Sequence, residues 1–280
     1  MTHRLNIVGK TDRGRKRSKN EDNFLVEPDL GFMIVADGMG GHASGEVASR
    51  LASELCTEQM KRALQTGHVP VFFHVPRKAD LDPRSILLGD CVKFANQAVY
   101  EAAQTDPAKH NMGTTLVASI WLDEKLAIAN VGDSRLYVVR DGKLKQQTTD
   151  HSFVQEQIAR GFLKPEDAEK SELRNMLTRS IGVGEDVEVD IVEVPLQPND
   201  IVLMCSDGLT KMLDDDQIES VFGQMSDPAA LVDELIKRAN EAGGGDNITV
   251  IVAKLEESPS SWGTLAERVK GMFRKKVESH

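Results

Sequence analysis

A chain of 280 residues, 40% hydrophobic and 28% charged, has the composition of a soluble globular protein with room for one large domain or two small ones. Its formal net charge of −10 argues against nucleic acid as a general partner, because a phosphate backbone needs a basic face. No apolar run reaches the length of a membrane span, MTHRLNIVGK lacks the apolar core of a secretory signal, and Cys56, Cys91 and Cys205 are too scattered for a disulfide framework or a zinc knuckle, so a cytoplasmic location is expected.

The first feature along the chain is a basic cluster, Lys10–Arg17 (KTDRGRKR), which reads as solvated surface for all of its charges but one. That one is Arg17, which precedes Glu21 and Asp22 in RSKNED. An arginine fork matches a phosphate bidentately, as lysine does not. Read alone, the segment is only a charged loop before a strand. Phe32–Ala36 then reads as a buried strand that ends on Asp37-Gly38, followed by MGGH. A buried carboxylate is costly unless it is paired, hydrogen-bonded or holding a metal. Glycine after it lets a backbone carbonyl face a ligand. An ordinary Asp-Gly turn would look the same.

Helical spacing of Val47, Leu51, Leu55 and Leu64 predicts a helix over 44–65, with Ser44 as its cap. Cys56 and Arg62 satisfy the Cys-x5-Arg spacing of thiolate phosphatases, but that chemistry needs a glycine-rich anion loop ahead of a helix, and Cys56 lies within one. The match is read as chance. Gly67–Arg84 (GHVPVFFHVPRKADLDPR) is a long connector whose Phe72-Phe73 either covers core or binds a partner, core cover being the plainer reading. A second helix is expected over 86–104. Residues 113–149 read as an antiparallel meander of TTLVASIW, KLAIANVG, SRLYVVR and KLKQQT, with Asp141-Gly142 as a hairpin turn.

A helix at 152–160 and two strands in 187–206 around Gln197-Pro198-Asn199 come next, then helices at 215–223 and 229–242. Asp214, Asp215 and Asp216 superficially resemble an aspartyl-nucleophile motif but are better read as acids complementing a helix dipole. The last strand, Ile248–Ala253, is preceded by GGGDN, which contains Asp246. After Glu257 the tail offers a linker, SPSS, and then Trp262, Leu265, Val269, Met272, Phe273 and Val277 at helical spacing among Arg268, Lys270, Arg274, Lys275 and Lys276. Docking on the body, a partner and an anionic lipid surface compete for that stripe at 262–277, docking being the plainest.

The strand-end carboxylate recurs at Asp37-Gly38, Asp133-Ser134 and Asp207-Gly208, and in reverse at Asp246. Strand ends meeting at one rim would bring these residues together, and strands clustered between pairs of helices predict sheets covered by helices. Asp without nearby His or thiolate suits a hard ion, Mg²⁺ or Mn²⁺. The seven histidines form no HxH or HExxH spacing, and there is no Walker loop. Two such ions are suited to phosphoryl transfer.

Taken together, RSKNEDNF, VADGMGGHASGEVAS, MGTTL, ANVGDSRLY, LTRSIG, CSDGL and GGGDNITVIV resemble the metal-dependent type 2C serine/threonine protein phosphatases in their bacterial form, in order from about residue 5 to 255. The resemblance implies an α-β-β-α sandwich of two antiparallel sheets flanked by helix pairs. It also implies a domain over 1–257 with a flap at 151–182, followed by the linker and helix of 258–280. Asp37 would bridge two Mn²⁺ or Mg²⁺ ions, with the Gly38 carbonyl on one. Asp207 and Asp246 would hold the other, and Glu21 and Asp22 would serve the second ion mostly through water. Asp133 would hold a third, weaker ion, and Arg17 would grip the substrate phosphate. Animal members place His after the Asp-Gly pair as a general acid; here Met39 stands there and His42, three residues on, is the weak candidate. The implied partners are phosphorylated proteins, substrates of a Ser/Thr kinase, and the chain is expected to act as a monomer. A phosphoprotein-binding regulator with little or no catalysis, and a phosphatase of small esters, are the rival readings; the complete set Asp37, Asp207 and Asp246 favours an enzyme.

Overall fold

The structure, a computed structural model, describes residues 2–40, 44–66, 80–168 and 171–258. It opens with β1 (Thr2–Asp12), β2 (Asp22–Glu27) and β3 (Phe32–Met39). Side chains alternate along β3, Met33 and Val35 entering one apolar cluster while Phe32 and Ile34 enter another. α1 (Ser44–Thr66) and α2 (Pro83–Thr105) follow. Asp82 caps α2 by accepting from the Arg84 amide at 2.8 Å, with Pro83 in the first turn, where its missing N–H costs nothing.

Next come β4 (Gly113–Thr114), β5 (Leu116–Leu122), β6 (Lys125–Val131), β7 (Arg135–Arg140) and β8 (Lys143–Gln146). Two short helices, α3 (Phe153–Ala159) and α4 (Pro165–Ala168), precede β9 (Asp190–Pro195) and β10 (Ile201–Cys205). The chain continues through α5 (Asp207–Thr210), α6 (Asp215–Phe222) and α7 (Pro228–Glu241) to β11 (Ile248–Ser258). Asp214 accepts from the Gln217 amide and Gln217 reaches back to the Asp214 amide, so the acid run opens α6 as a capping box.

The strands form two antiparallel sheets, one in the order β1-β11-β10-β7-β8 and the other β2-β3-β5-β6-β9, with β4 paired to β3. Their facing sides share a core of Met33, Val35, Val117, Ile128, Leu136 and Ile251. The outer face of the second sheet packs on α1 and α2 through Phe32, Ile34, Ala52, Leu88 and Val92. That of the first packs on α6 and α7 through Leu203, Val250, Ile218, Leu231 and Leu235. The layers are α-β-β-α, as the resemblance implies. No helix among the described residues is long and apolar enough to cross a membrane.

The meander expected over 113–149 is corrected by the sheet order. β5 and β6 lie in one sheet and β7 and β8 in the other, so the chain changes sheets between Val131 and Arg135. Gly132 makes the switch with φ at 108°, and a Cβ there would lie 2.6 Å from Thr115 Cβ. Thr115 and Ser134 then join hydroxyls across the bend at 2.7 Å. His42, the connector segment 67–79 with Phe72-Phe73, and the tail stripe at 262–277 lie outside the described residues.

Candidate metal and phosphate site

Asp22 heads β2 directly opposite Asp37 in β3. Its Oδ2 accepts from the Ser206 and Thr249 hydroxyls, both at 2.7 Å, while its buried Oδ1 has no hydrogen-bond partner. Because Ser206 and Thr249 belong to the β10 and β11 side, one carboxylate spans the two sheets. Burial pushes Asp22 up to about 6, against the pull of the two hydroxyls.

The Asp37 backbone is fixed from both sides. Its N–H donates to Thr115 Oγ1 at 3.0 Å, and its carbonyl accepts from the Thr115 amide and the Thr114 hydroxyl, each at 2.9 Å. Burial, and then the neighbouring charges of Asp22, Asp207, Asp133 and Asp246, hold its carboxyl well above the usual range. Gly38 follows where only glycine fits: a Cβ would lie 2.1 Å from the Gly45 carbonyl oxygen and 2.6 Å from that of Glu21. This close approach brings the start of α1 against the strand end, and the Gly38 N–H donates to the Glu21 carbonyl at 3.1 Å.

Asp133 stands on the sheet-to-sheet bend, pushed up to about 7 by burial and by Asp207. Asp207 begins α5, with its buried Oδ1 unpartnered. Asp246 precedes β11 and is gripped by Arg17, whose Nε meets Oδ1 and whose Nη2 meets Oδ2, both at 2.8 Å. Asn247 ties the parts together: its Oδ1 accepts from the Glu21 amide at 2.8 Å and its Nδ2 donates to the carbonyls of Arg13 and Lys19. Glu21 is raised by its burial, with Arg17 opposing.

Two groups here escape a reading of the letters. Lys211, one turn after Asp207, contacts Asp207 Oδ2 and lies 3.8 Å from Asp246 Oδ2. Its one signal was the i,i+4 spacing in DGLTK. Ser206 and Thr249 are the other, visible only once β10 and β11 are paired.

The flap expected at 151–182 closes on itself through a bridge between Ser152 and Leu177. His151 fastens it to the bend: its N–H donates to the Gly132 carbonyl and its Nδ1 accepts from the Gly132 N–H, each at 3.0 Å. Nε2 therefore carries the proton and faces Asp190 Oδ2 at 3.2 Å. Met39 and Val183 both crowd Gly113, so a thioether without a transferable proton occupies the position after Asp37-Gly38. Burial pushes the Cys56 thiol up to about 12, which disqualifies it as a thiolate nucleophile and agrees with the chance reading of its spacing to Arg62.

The donor set is oxygen only, and two of its buried carboxylate oxygens, on Asp22 and Asp207, lack partners. That chemistry fits a hard divalent cation. Asp246 is turned toward Arg17 and Asp207 toward Lys211, and no three acidic, histidine or cysteine side chains of the described residues close into one ligand shell.

The family model described as protein phosphatase 2C matches residues 11–243. A serine/threonine phosphatase, stp, of Listeria monocytogenes is 38% identical over 250 residues, covering 88% of this chain and 94% of that protein. The Mycobacterium tuberculosis serine/threonine phosphatase PstP/Ppp superposes with a TM-score of 0.79 at 32% identity, over 91% of this chain and all of that one. The catalytic domain of PstP in complex with two manganese ions gives 0.76 at 31% identity, with the same coverage.

Proposed function

The chain belongs to the protein phosphatase 2C family, and on that premise we propose that it hydrolyses phosphoserine and phosphothreonine esters on proteins. One observation carries the reading to this chain. Asp22, Asp37, Asp133, Asp207 and Asp246 come from strand ends of both sheets, and the other four lie close enough to Asp37 for their charges to repel its own. A fold keeps repelling carboxylates together when a ligand offsets their charge.

Asp37, the Gly38 carbonyl, Asp207 and Asp246 would hold two divalent ions, with Glu21 and Asp22 behind them and Asp133 for a third, weaker ion. Such ions supply a water of lowered pKa and neutralise the charge of an in-line displacement. The chain's own residues do the rest. Arg17 presents a fork already shaped around two carboxylate oxygens, and the same fork fits two phosphoryl oxygens. Ser206 and Thr249 hold Asp22 by Oδ2 and leave its buried Oδ1 without a hydrogen-bond partner. Gly132 and His151 set the bend that carries Asp133 and the base of the flap. Residues 1–257 would form the catalytic unit, and 258–280 an added segment.

The test is dephosphorylation of a phosphothreonine peptide by chelator-stripped protein before and after Mn²⁺ or Mg²⁺. Activity that vanishes with chelator and returns with metal is expected. Turnover in metal-free protein would overturn the mechanism, and peptide binding without turnover at saturating metal would make the chain a regulator instead.

A further inference from the structure

Five of the seven residues from Arg13 to Lys19 are cations, in a chain whose net charge is −10. Their side chains are exposed, and among the described residues Arg15, Lys16 and Lys19 form no ion pair. Solvated loops of this kind ordinarily move. This one is fastened to the candidate site itself. The amides of Arg15 and Lys16 donate to the Gly244 carbonyl at 2.8 and 3.1 Å. The Asn247 side-chain amide donates to the Arg13 carbonyl at 2.9 Å and the Lys19 carbonyl at 2.8 Å, closing the loop at both ends. Gly244 and Asn247 flank Asp246, and Arg17, in the middle of the loop, grips that same Asp246. The basic charge is therefore positioned by the residues that build the site.

We propose that the loop Arg13–Lys19 recognises acidic residues beside the phosphorylated Ser or Thr, so that the preferred substrates are phosphopeptides with Asp or Glu flanks. The inference rests on the phosphatase reading and names its substrate class. A phosphopeptide is an anion approaching a protein that is itself strongly negative, and a local basic surface reverses the sign of the field where the substrate must land. A backbone fixed before binding loses little conformational entropy on contact. Long, separately mobile Arg and Lys side chains suit charge recognition without a strict sequence. The loop's continuity with Arg17 points to the substrate of this site rather than to a lipid surface.

The test compares kcat/KM with Mn²⁺ on three phosphothreonine peptides of equal length with Asp/Glu, Gln/Ser or Lys flanks. It uses the full chain and the variant Arg15→Gln/Lys16→Gln/Lys19→Gln, whose fold is checked by thermal melting and whose backbone contacts are untouched. The native chain should prefer acidic over neutral flanks by about tenfold, the sum of a few exposed ion pairs. The preference should shrink to about twofold or less in the variant and in high salt. Equal kcat/KM on acidic and neutral flanks, or a preference that survives the triple substitution, overturns the inference while leaving the phosphatase reading intact. Binding to phosphatidylserine vesicles that the variant loses, without any flank preference, would assign the loop to a membrane and equally overturn it. No metal-dependent hydrolysis of any peptide or of p-nitrophenyl phosphate removes the phosphatase reading, and the inference with it.

Discussion

Lys211 stands one helical turn beyond Asp207, and its ammonium touches that carboxylate while lying 3.8 Å from Asp246. A tethered cation thus sits between two carboxylates that reach the same rim from β10 and from the approach to β11. A divalent ion binding there has to displace it. Lys211→Met should tighten Mn²⁺ binding to chelator-stripped protein by about three- to tenfold, read by calorimetry. Without metal, the same variant should melt about 3 °C lower, because like charges lose their counterion. Weaker Mn²⁺ binding would show that Lys211 supports the site instead of competing for it.

Removing a carboxylate should separate activity from folding. Asp37→Ala and Asp207→Ala are expected to lower kcat with excess metal by more than the ~10–100-fold typical of groups one step behind a ligand. In metal-free protein both should melt at or above the native temperature, since a repelling charge is gone. Retained turnover in both variants would dismiss the ligand assignment.

The stability of chelator-stripped protein should fall as pH rises. Asp22 and Asp133 titrate in the fold at about 6 and about 7, above the ordinary 3.8, chiefly through burial. Between about pH 4 and pH 7 the folded chain then binds more protons than the unfolded chain, so the slope of unfolding free energy against pH is negative. The contribution of these two groups is greatest below the unfolded value and declines until both are ionised. Carboxylates held low by their partners, such as Asp82 and Asp190, act in the opposite direction at the acid end of the range. Urea midpoints over this range should show the decline, and saturating Mn²⁺ should flatten it. A midpoint that climbs with pH in the absence of metal would contradict the buried-carboxylate account.

Arg17 offers a test of geometry against charge. A hydrogen bond to a charged group contributes about 1.5–3 kcal/mol, so Arg17→Ala should lower kcat/KM on a phosphopeptide by about 10- to 100-fold. Arg17→Lys should restore only part of this, because an ammonium has no fork. If both variants match the native enzyme, Arg17 serves Asp246 alone.

The elements whose signals are local could be read from the letters. The ranges of α1 and of the Asp-rich α6 match expectation to within a residue or so, since periodicity and capping act over one or two turns. The buried line of α1, however, runs through Ala48, Ala52, Cys56, Met60 and Leu64, and Val47 and Leu51 only flank it. The recurring Asp at strand ends likewise pointed to the rim before any strand was paired. What could not be read is which strands share a sheet. β6 and β7 are neighbours in the chain but lie in different sheets, and the backbone of Gly132 that separates them looks like any turn glycine. Asn247 was hidden for a similar reason: its partners Arg13 and Lys19 are 234 and 228 residues away, and no local pattern marks a side-chain amide as a fastener. Family resemblance supplied the layer order that periodicity alone left open.

The pairing of β1 with β11 joins Thr2–Asp12 to Ile248–Ser258 along its whole length. A ribosome delivers the first of these strands long before the second, so β1 emerges without its neighbour and waits as an unpaired edge. Nor can Thr249 hold Asp22, or Arg17 meet Asp246, until that final strand arrives. A nascent chain therefore contains no assembled site however much of its second sheet has formed, and chains truncated before Ile248 should be inactive and sticky rather than partly active. Pairing across so long a separation is also slow, which makes completion of the last strand, and not the making of the helices, the event that turns a polypeptide into an enzyme.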